Sequence, residues 1–287
     1  MEYRFFVEKI QKVKGQISKK FKVLVNYINT HYKEIAFLTL SDFSKATGIS
    51  ESTIVRFTVA LGYDGYPAFR KDFQQMIRSE LTTFERFKLF SNGREDLNRV
   101  SHPFEKALQI ERENIQKLVE TIRKEDVRQV IDYLCSAKTV FIAGAQSTES
   151  VARYFGYHLS IISDNIRTLT RANGDAISIL KRIDEQSTVF LISLVRYPRS
   201  LISIGQWAKE KGAKVVVITD NILSPFKDLG NVFLVVPTTF ISFLYANAAL
   251  VALINSIVVE FGSRRKKQAL EHLKRWEETN TFQSTFL

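Results

Sequence analysis

Five short apolar runs rich in β-branched residues recur through the second half of the chain: TVFIA (139–143), NIRTLT (165–170), TVFLIS (188–193), KVVVIT (214–219) and VFLVV (232–236). Helical segments separate them. Runs this apolar belong to strands covered on both faces, and strands alternating with helices assemble into a parallel sheet sandwiched between helices. From about His102 onward the expectation is therefore an α/β domain with a five-stranded parallel sheet. Ligands of such sheets sit beyond the carboxyl ends of the strands, so the residues that follow each run are the ones to read for chemistry.

The first 77 residues predict helices only. Phe21 to Tyr32 has helical apolar spacing at Leu24, Tyr27 and Ile28. Leu40 to Leu61, LSDFSKATGISESTIVRFTVAL, then carries the steps of two short helices crossing steeply through a tight turn. Phe43, Ile49, Ile54 and Phe57 fall at the contact positions, Ser44 is small where the helices approach, and Gly48 takes the turn, where a positive φ costs glycine nothing. Ser50 is placed to cap the second helix with its hydroxyl. Glu51, Ser52, Thr53 and Arg56 then fall on its exposed face, in the first turns that meet base edges when such a helix lies in a major groove. Serine and threonine can donate or accept there, and arginine suits guanine or a phosphate. In LGYDGYPAFRKDF (61–73), Gly62 stops this helix and another begins at Ala68. Residues 78–101 read as a connector, helical in part.

Charge points to a polyanionic partner: 41 Lys and Arg against 30 Asp and Glu give a formal +11, with basic residues in excess over 1–33 and more added over 69–99. The single cysteine, Cys135, allows no internal disulfide and no cysteine-based zinc site, which fits the reducing cytoplasm. The opening residues lack the apolar core of a signal peptide. Leu229 to Val259 has no charged residue, but Pro237 divides it and Asn247, Asn255 and Ser256 interrupt it, so a buried helix is expected there and no membrane span. The basic stretch at 263–276 reads as a solvated or dimer-forming helix.

Three strand ends carry candidate ligand chemistry. GAQST (144–148) opens a helix whose free amides can hold an anion, with Gly144, Gln146, Ser147 and Thr148 as contacts. SLVRYPRS (193–200) offers Ser193, Arg196, Arg199 and Ser200, and TDN (219–221) offers Thr219. Three such loops on one sheet edge make a pocket. No metal set and no cofactor are expected: His31, His102, His158 and His272 are scattered. Glu149 is the best available general base, and it also suits the first turn of a helix as an acid.

The R-F-x-x-x-L-G-Y run of Arg56 to Tyr63 and the A-K-x-x-G-A-K-V-x-V-I-T-D run of Ala208 to Asp220 resemble those of the RpiR-type transcriptional regulators, over nearly the whole chain. The resemblance implies a helix-turn-helix domain (1–77), a linker (78–101), and a sugar isomerase (SIS) domain (102–287) that binds an effector and oligomerises. It also implies a regulator without enzymatic activity, commonly a repressor. As a dimer or tetramer it would read a near-palindromic operator and sense a phosphosugar or related anionic sugar. Two departures mark the pocket. The first loop, usually G-x-G-x-S, has Gln146 at the second glycine and Thr148 at the serine. The second, usually S-x-S-G-x-T-x-E, keeps only Ser193, with Val195, Arg196, Pro198 and Ser200 at the later positions. An amide cradle needs that glycine, so the expectation shifts to guanidinium contacts from Arg196 and Arg199. A sugar-phosphate isomerase of the same fold, and a SIS scaffold that binds only protein, are the alternatives.

Overall fold

The structure is a computed structural model that describes residues 18–77, 82–91, 102–169, 179–222 and 224–282. The chain divides into two units, residues 1–106 with 240–244, and residues 107–239 with 245–287.

In the first unit, helix α1 (Lys19–Ile35) starts at Ser18, whose hydroxyl accepts from the Phe21 amide. Helix α2 (Leu40–Thr47) is capped by Thr39, which accepts from the Asp42 amide at 3.1 Å and donates to the Asp42 carboxylate at 2.7 Å. It ends at Gly48, in the left-handed region at φ +68. Helices α3 (Glu51–Ala60) and α4 (Tyr66–Ile77) follow. The core is aromatic: Phe43, Phe57, Phe69 and Phe73 meet Leu24, Ile28 and Ile54. Tyr66 donates to the Leu38 carbonyl from inside this core, and Tyr63 donates to Asp72. Helix α4 begins two residues before the expected Ala68, because proline is tolerated in a first turn, where its missing N–H has no intrahelical partner. Part of the connector is a helix, α5 (Thr83–Ser91). Much of residues 78–101 lies outside the described residues.

The second unit starts with α6 (Pro103–Thr121), which begins at the tail of the first, and α7 (Lys124–Ser136). Then come β1 (Thr139–Gly144), α8 (Ser147–Ile162), β2 (Ile166–Leu169), β3 (Ser187–Ser193), α9 (Arg199–Glu210), β4 (Lys214–Thr219) and β5 (Val232–Val235). A short pair, β6 (Phe240–Ile241) and β7 (Leu244–Tyr245), whose residues 240–244 count with the first unit, precedes α10 (Ala248–Arg264) and α11 (Lys266–Phe282). The five strands form one parallel sheet in the order β2-β1-β3-β4-β5, as expected from the apolar runs.

Alternation along the strands builds two cores. Val140, Ile142, Phe190, Ile192, Val216 and Ile218 face α7, α8 and α10, while Phe141, Ala143, Val189, Leu191, Val215 and Val217 face α9. The central strands are buried on both faces; the edge strands are not, since Arg167 of β2 is exposed and β5 alternates. An edge strand has a neighbour on one side only, so its outer face is less covered.

The charge-free stretch resolves into β5, the short pair and α10, which buries Ala249, Leu250, Leu253, Ile254 and Ile257. Glu111 of α6 accepts from the amides of Asn247 and Ala248 at 3.1 and 2.9 Å, supplying a carboxylate at the positive end of α10. No helix among the described residues is long and apolar enough to cross a membrane.

Candidate functional site

Two places carry chemistry, one in each unit. In the first, Gly48 turns the chain and the Ser44 hydroxyl donates to the Ile49 carbonyl at 2.7 Å, fixing the step from α2 into α3. Ile54 and Phe57 anchor α3 to the core, which leaves Glu51, Ser52 and Arg56 exposed. Two of the expected roles change. Ser50 occupies the position before α3 but makes no side-chain cap; its hydroxyl lies 2.9 Å from that of Thr53 and 3.3 Å from that of Ser52. Thr53 is 5% exposed and also accepts from Arg56 at 3.4 Å, so it orients neighbours from beneath the outer face. It lies one position from Ile54, and the helical turn carries its Cβ toward the same buried side. Val59, 55% exposed, shares the outward face with Ser52, Val55 and Arg56. The 52-55-56-59 spacing is the signal that identifies it.

In the second unit, β1, β3 and β4 lie side by side, so Gly144, Ser193 and Thr219 come to one carboxyl edge, in register Gly144↔Ile192 and Ser193↔Thr219. The residues do different things there. A Cβ on Gly144 would strike the Thr148 carbonyl and lie 2.8 Å from the Ala152 Cβ, so glycine is required for the close approach of α8 to β1. Gln146 stands before α8 at φ +58, ψ −126, a backbone that glycine adopts freely and a side chain resists. Ser147 is exposed. Thr148 is turned inward: it accepts from the Ala145 amide at 3.1 Å and lies 2.7 Å from the Ile192 carbonyl as donor.

Beyond β3, Arg196 is exposed and held at φ +71, and Arg199 and Ser200 open α9 on the surface. Ser193 and Thr219 are 1% and 0% exposed, and their hydroxyls are buried with no hydrogen-bond partner; the Ser224 hydroxyl is likewise buried and unpartnered. Sequence reading missed Ser224 and Tyr197. Tyr197 donates to Asp220 at 3.0 Å and sets its ring edge-on to Phe226. Of the bases considered, Glu149 pairs with Arg153 at 3.2 Å, and His158 lies against the rings of Tyr154 and Tyr157. Among the described residues no group of three or more His, Cys, Asp or Glu is placed to hold a metal ion.

A helix-turn-helix with an exposed Ser/Arg face, together with a parallel α/β sheet bearing loops at one edge, defines a two-domain DNA-binding protein with a ligand domain. Residues 5–80 match the family model of the rpiR-family helix-turn-helix domain, and residues 133–260 match that of the SIS domain. The chain thus belongs to the RpiR-type transcriptional regulators. An uncharacterized HTH-type transcriptional regulator of Clostridium perfringens is 23% identical over 229 residues, 78% of this chain and 79% of that one. Among solved structures, the Vibrio vulnificus NanR protein complexed with ManNAc-6P is similar in fold: TM-score 0.57, 19% identity, 96% of this chain and 97% of that one. The sugar isomerase domain of an RpiR transcription factor from Sphaerobacter thermophilus matches with TM-score 0.57 and 22% identity, over 60% of this chain and 97% of that domain.

Proposed function

We propose that the chain is a cytoplasmic, sugar-responsive repressor. Residues 1–77 read DNA, 78–101 link, and 102–287 bind the effector and oligomerise. Ser52 and Arg56 read base edges, with Glu51 beside them; Val59 is suited to a thymine methyl, and Ser50 and Thr53 hold the reading face in shape. A dimer or tetramer presents two such helices to a near-palindrome, since symmetric proteins read symmetric DNA. The effector is an anionic sugar derivative. The observation that carries this is the carboxyl edge of the sheet, where the buried, unpartnered hydroxyls of Ser193 and Thr219 end strands followed by a loop bearing Arg196 and by Arg199 at the start of α9. Gln146 and Ser147, exposed over the helix start that Gly144 and Thr148 shape, and Ser200 at the head of α9, complete the contacts. The NanR relative in fold was solved with a phosphosugar, which supports this ligand class. Ligand shifts the equilibrium between two arrangements of the reading heads according to its differential affinity for them. Glu149, committed to Arg153, weighs against an isomerase base.

Selection from random DNA at moderate salt tests the first half. An enriched palindrome bound far more tightly than a scrambled control is expected; equal, salt-sensitive binding to both would refute specific reading. Calorimetry with sugar phosphates and sugar acids tests the second half, with heat that Arg196→Ala diminishes as the expected result.

A further inference from the structure

We propose that the β6–β7 hairpin is the mechanical link through which the second unit senses the DNA-bound state of the first; this rests on the functional reading above only for what each unit binds. The connector is not the chain's only passage between the units. Residues 240–244 count with the first unit while 107–239 and 245–287 form the second, so the chain passes between them after Lys106, after Thr239 and after Leu244. Two phenyl rings seat the hairpin in the first unit. Phe240 is half-buried against the cluster of Phe43, Phe57, Phe69 and Phe73 that holds the helix-turn-helix together, and Phe243 meets Phe87 of α5 edge-on, ring centres 6.1 Å apart. In the second unit α6 holds the base. Asn114 accepts from the Thr239 hydroxyl at 3.1 Å, Glu111 accepts from the Asn247 and Ala248 amides, and the Ala246 amide donates to the Thr239 carbonyl at 2.8 Å. Glu111 and Asn114 are three residues apart and share one face of α6, the same helix that carries the chain out of the first unit after Lys106. Both routes between the units therefore meet at these two side chains.

A two-stranded ribbon of this size does not hold itself together. Its turn adds a cost. Ser242 and Phe243 alone join the strands, and Ser242 takes φ +58 while Phe243 does not, which is the turn type whose first place glycine usually fills. The Ser242 hydroxyl is also buried without a hydrogen-bond partner. A backbone held against its own preference persists only while its surroundings hold it. The hairpin thus keeps its shape only with its rings seated and its base bonded, and loss of either loosens the other in one cooperative opening. DNA that steadies the first unit then steadies the hairpin base and the start of α10. By linkage, a ligand of the second unit that alters this base changes the affinity for DNA by the same factor.

The test is hydrogen exchange of the full chain, read at the amides of Ala246, Asn247 and Ala248, with Val216 and Ile218 of the sheet as controls. Two perturbations confined to the first unit act in opposite directions: DNA selected from a random pool, which steadies it, and Leu24→Ala, which cuts back a fully buried side chain of its core. Selected DNA should slow exchange at the three amides severalfold, and Leu24→Ala should speed it about tenfold or more, with the controls unmoved. In a chain carrying both Phe240→Ser and Phe243→Ser, with helix content intact by circular dichroism, neither perturbation should move them. Phe243→Ser alone, at an exposed position, repeats the comparison where the pair does not fold, and should reduce the response. Amides that ignore Leu24→Ala, or that ignore bound DNA, overturn the link. A response undiminished in the substituted chains overturns the hairpin as its route and leaves α6 to carry it. If selection enriches no DNA, the DNA-reading proposal falls by itself, and the Leu24→Ala arm still decides the hairpin.

Discussion

Replacing Gln146 with glycine should stabilise the second unit. At φ +58, ψ −126 the Gln146 Cβ opposes its own backbone, and the side chain makes no capping bond to α8 in return. A non-glycine residue held in such a region costs about 1–3 kcal/mol. Glycine removes that strain but enlarges the freedom of the unfolded chain, which returns about 0.4–1 kcal/mol. The net gain is on the order of 1 kcal/mol, or about 2–4 °C in melting temperature for a unit of this size. Gln146→Ala is the control: it keeps the Cβ, and so keeps the strain. Urea denaturation followed by circular dichroism, with the ligand absent, compares the three proteins. If glycine proves no more stable than alanine, the strained backbone is not a stored cost and the reasoning fails. The gain should carry a loss of effector affinity if the Gln146 side chain touches ligand, the trade expected where strain sits at a binding site.

Arg56→Ala should weaken binding to the selected operator by about 1–3 kcal/mol, roughly fivefold to 150-fold, and affect random DNA far less; an equal loss on both, with a shallower salt slope, would make Arg56 a phosphate contact. Thr53→Val should lower the melting temperature of the first unit by removing a partner of Ser50 and Arg56, costing about 1 kcal/mol, and should leave the preferred base sequence unchanged in a repeat selection. Gly144→Ala should destabilise the second unit by about 1–3 kcal/mol, read by thermal melt, because its methyl meets the Thr148 carbonyl and Ala152. In alkali, burial and then the Asp72 hydrogen bond and charge raise the Tyr63 pKa; burial raises that of Tyr66, with Arg70 opposing and Asp42 assisting. A raised pKa in the folded state favours the neutral phenol there. This stability is complete below about pH 10, where an unfolded tyrosine ionises, and is lost as pH rises above it. The part of the tyrosinate absorbance that Tyr63→Phe and Tyr66→Phe remove should therefore appear together with loss of helix content above pH 10, and its appearance with the helices intact would refute it.

The architecture was readable because its determinants are local. Val189 to Ile192 and Val215 to Ile218 announce buried strands by hydrophobicity alone, and Phe43, Gly48, Ile54 and Phe57 fix two helices and their turn by spacing. What escaped depends on partners distant in sequence. The β6–β7 pair is two residues per strand, too short for any period to show. The carboxylate that meets the start of α10 comes from Glu111, more than 130 residues upstream.

The candidate site divides along the same line. That GAQST, SLVRYPRS and TDN share an edge follows from strand order, which alternating strands and helices imply. What each side chain does there does not follow, because a hydroxyl's role is set by the backbone it happens to meet. Thr148 matches the family's hydroxyl in sequence yet lies bonded to Ala145 and Ile192, while Thr219, which the sequence offers as a ligand contact on the same footing, ends buried without a partner. The same holds for Ser50 and Thr53, two hydroxyls three residues apart whose mutual contact replaces the cap expected of one and the exposure expected of the other. Arginine is the more legible residue here, since its length and charge keep it at the surface: Arg56, Arg196 and Arg199 are all exposed, as the sequence implied. Residues that reach solvent declare a partner by their chemistry alone, whereas a buried hydroxyl declares one only when the structure leaves it without a bond.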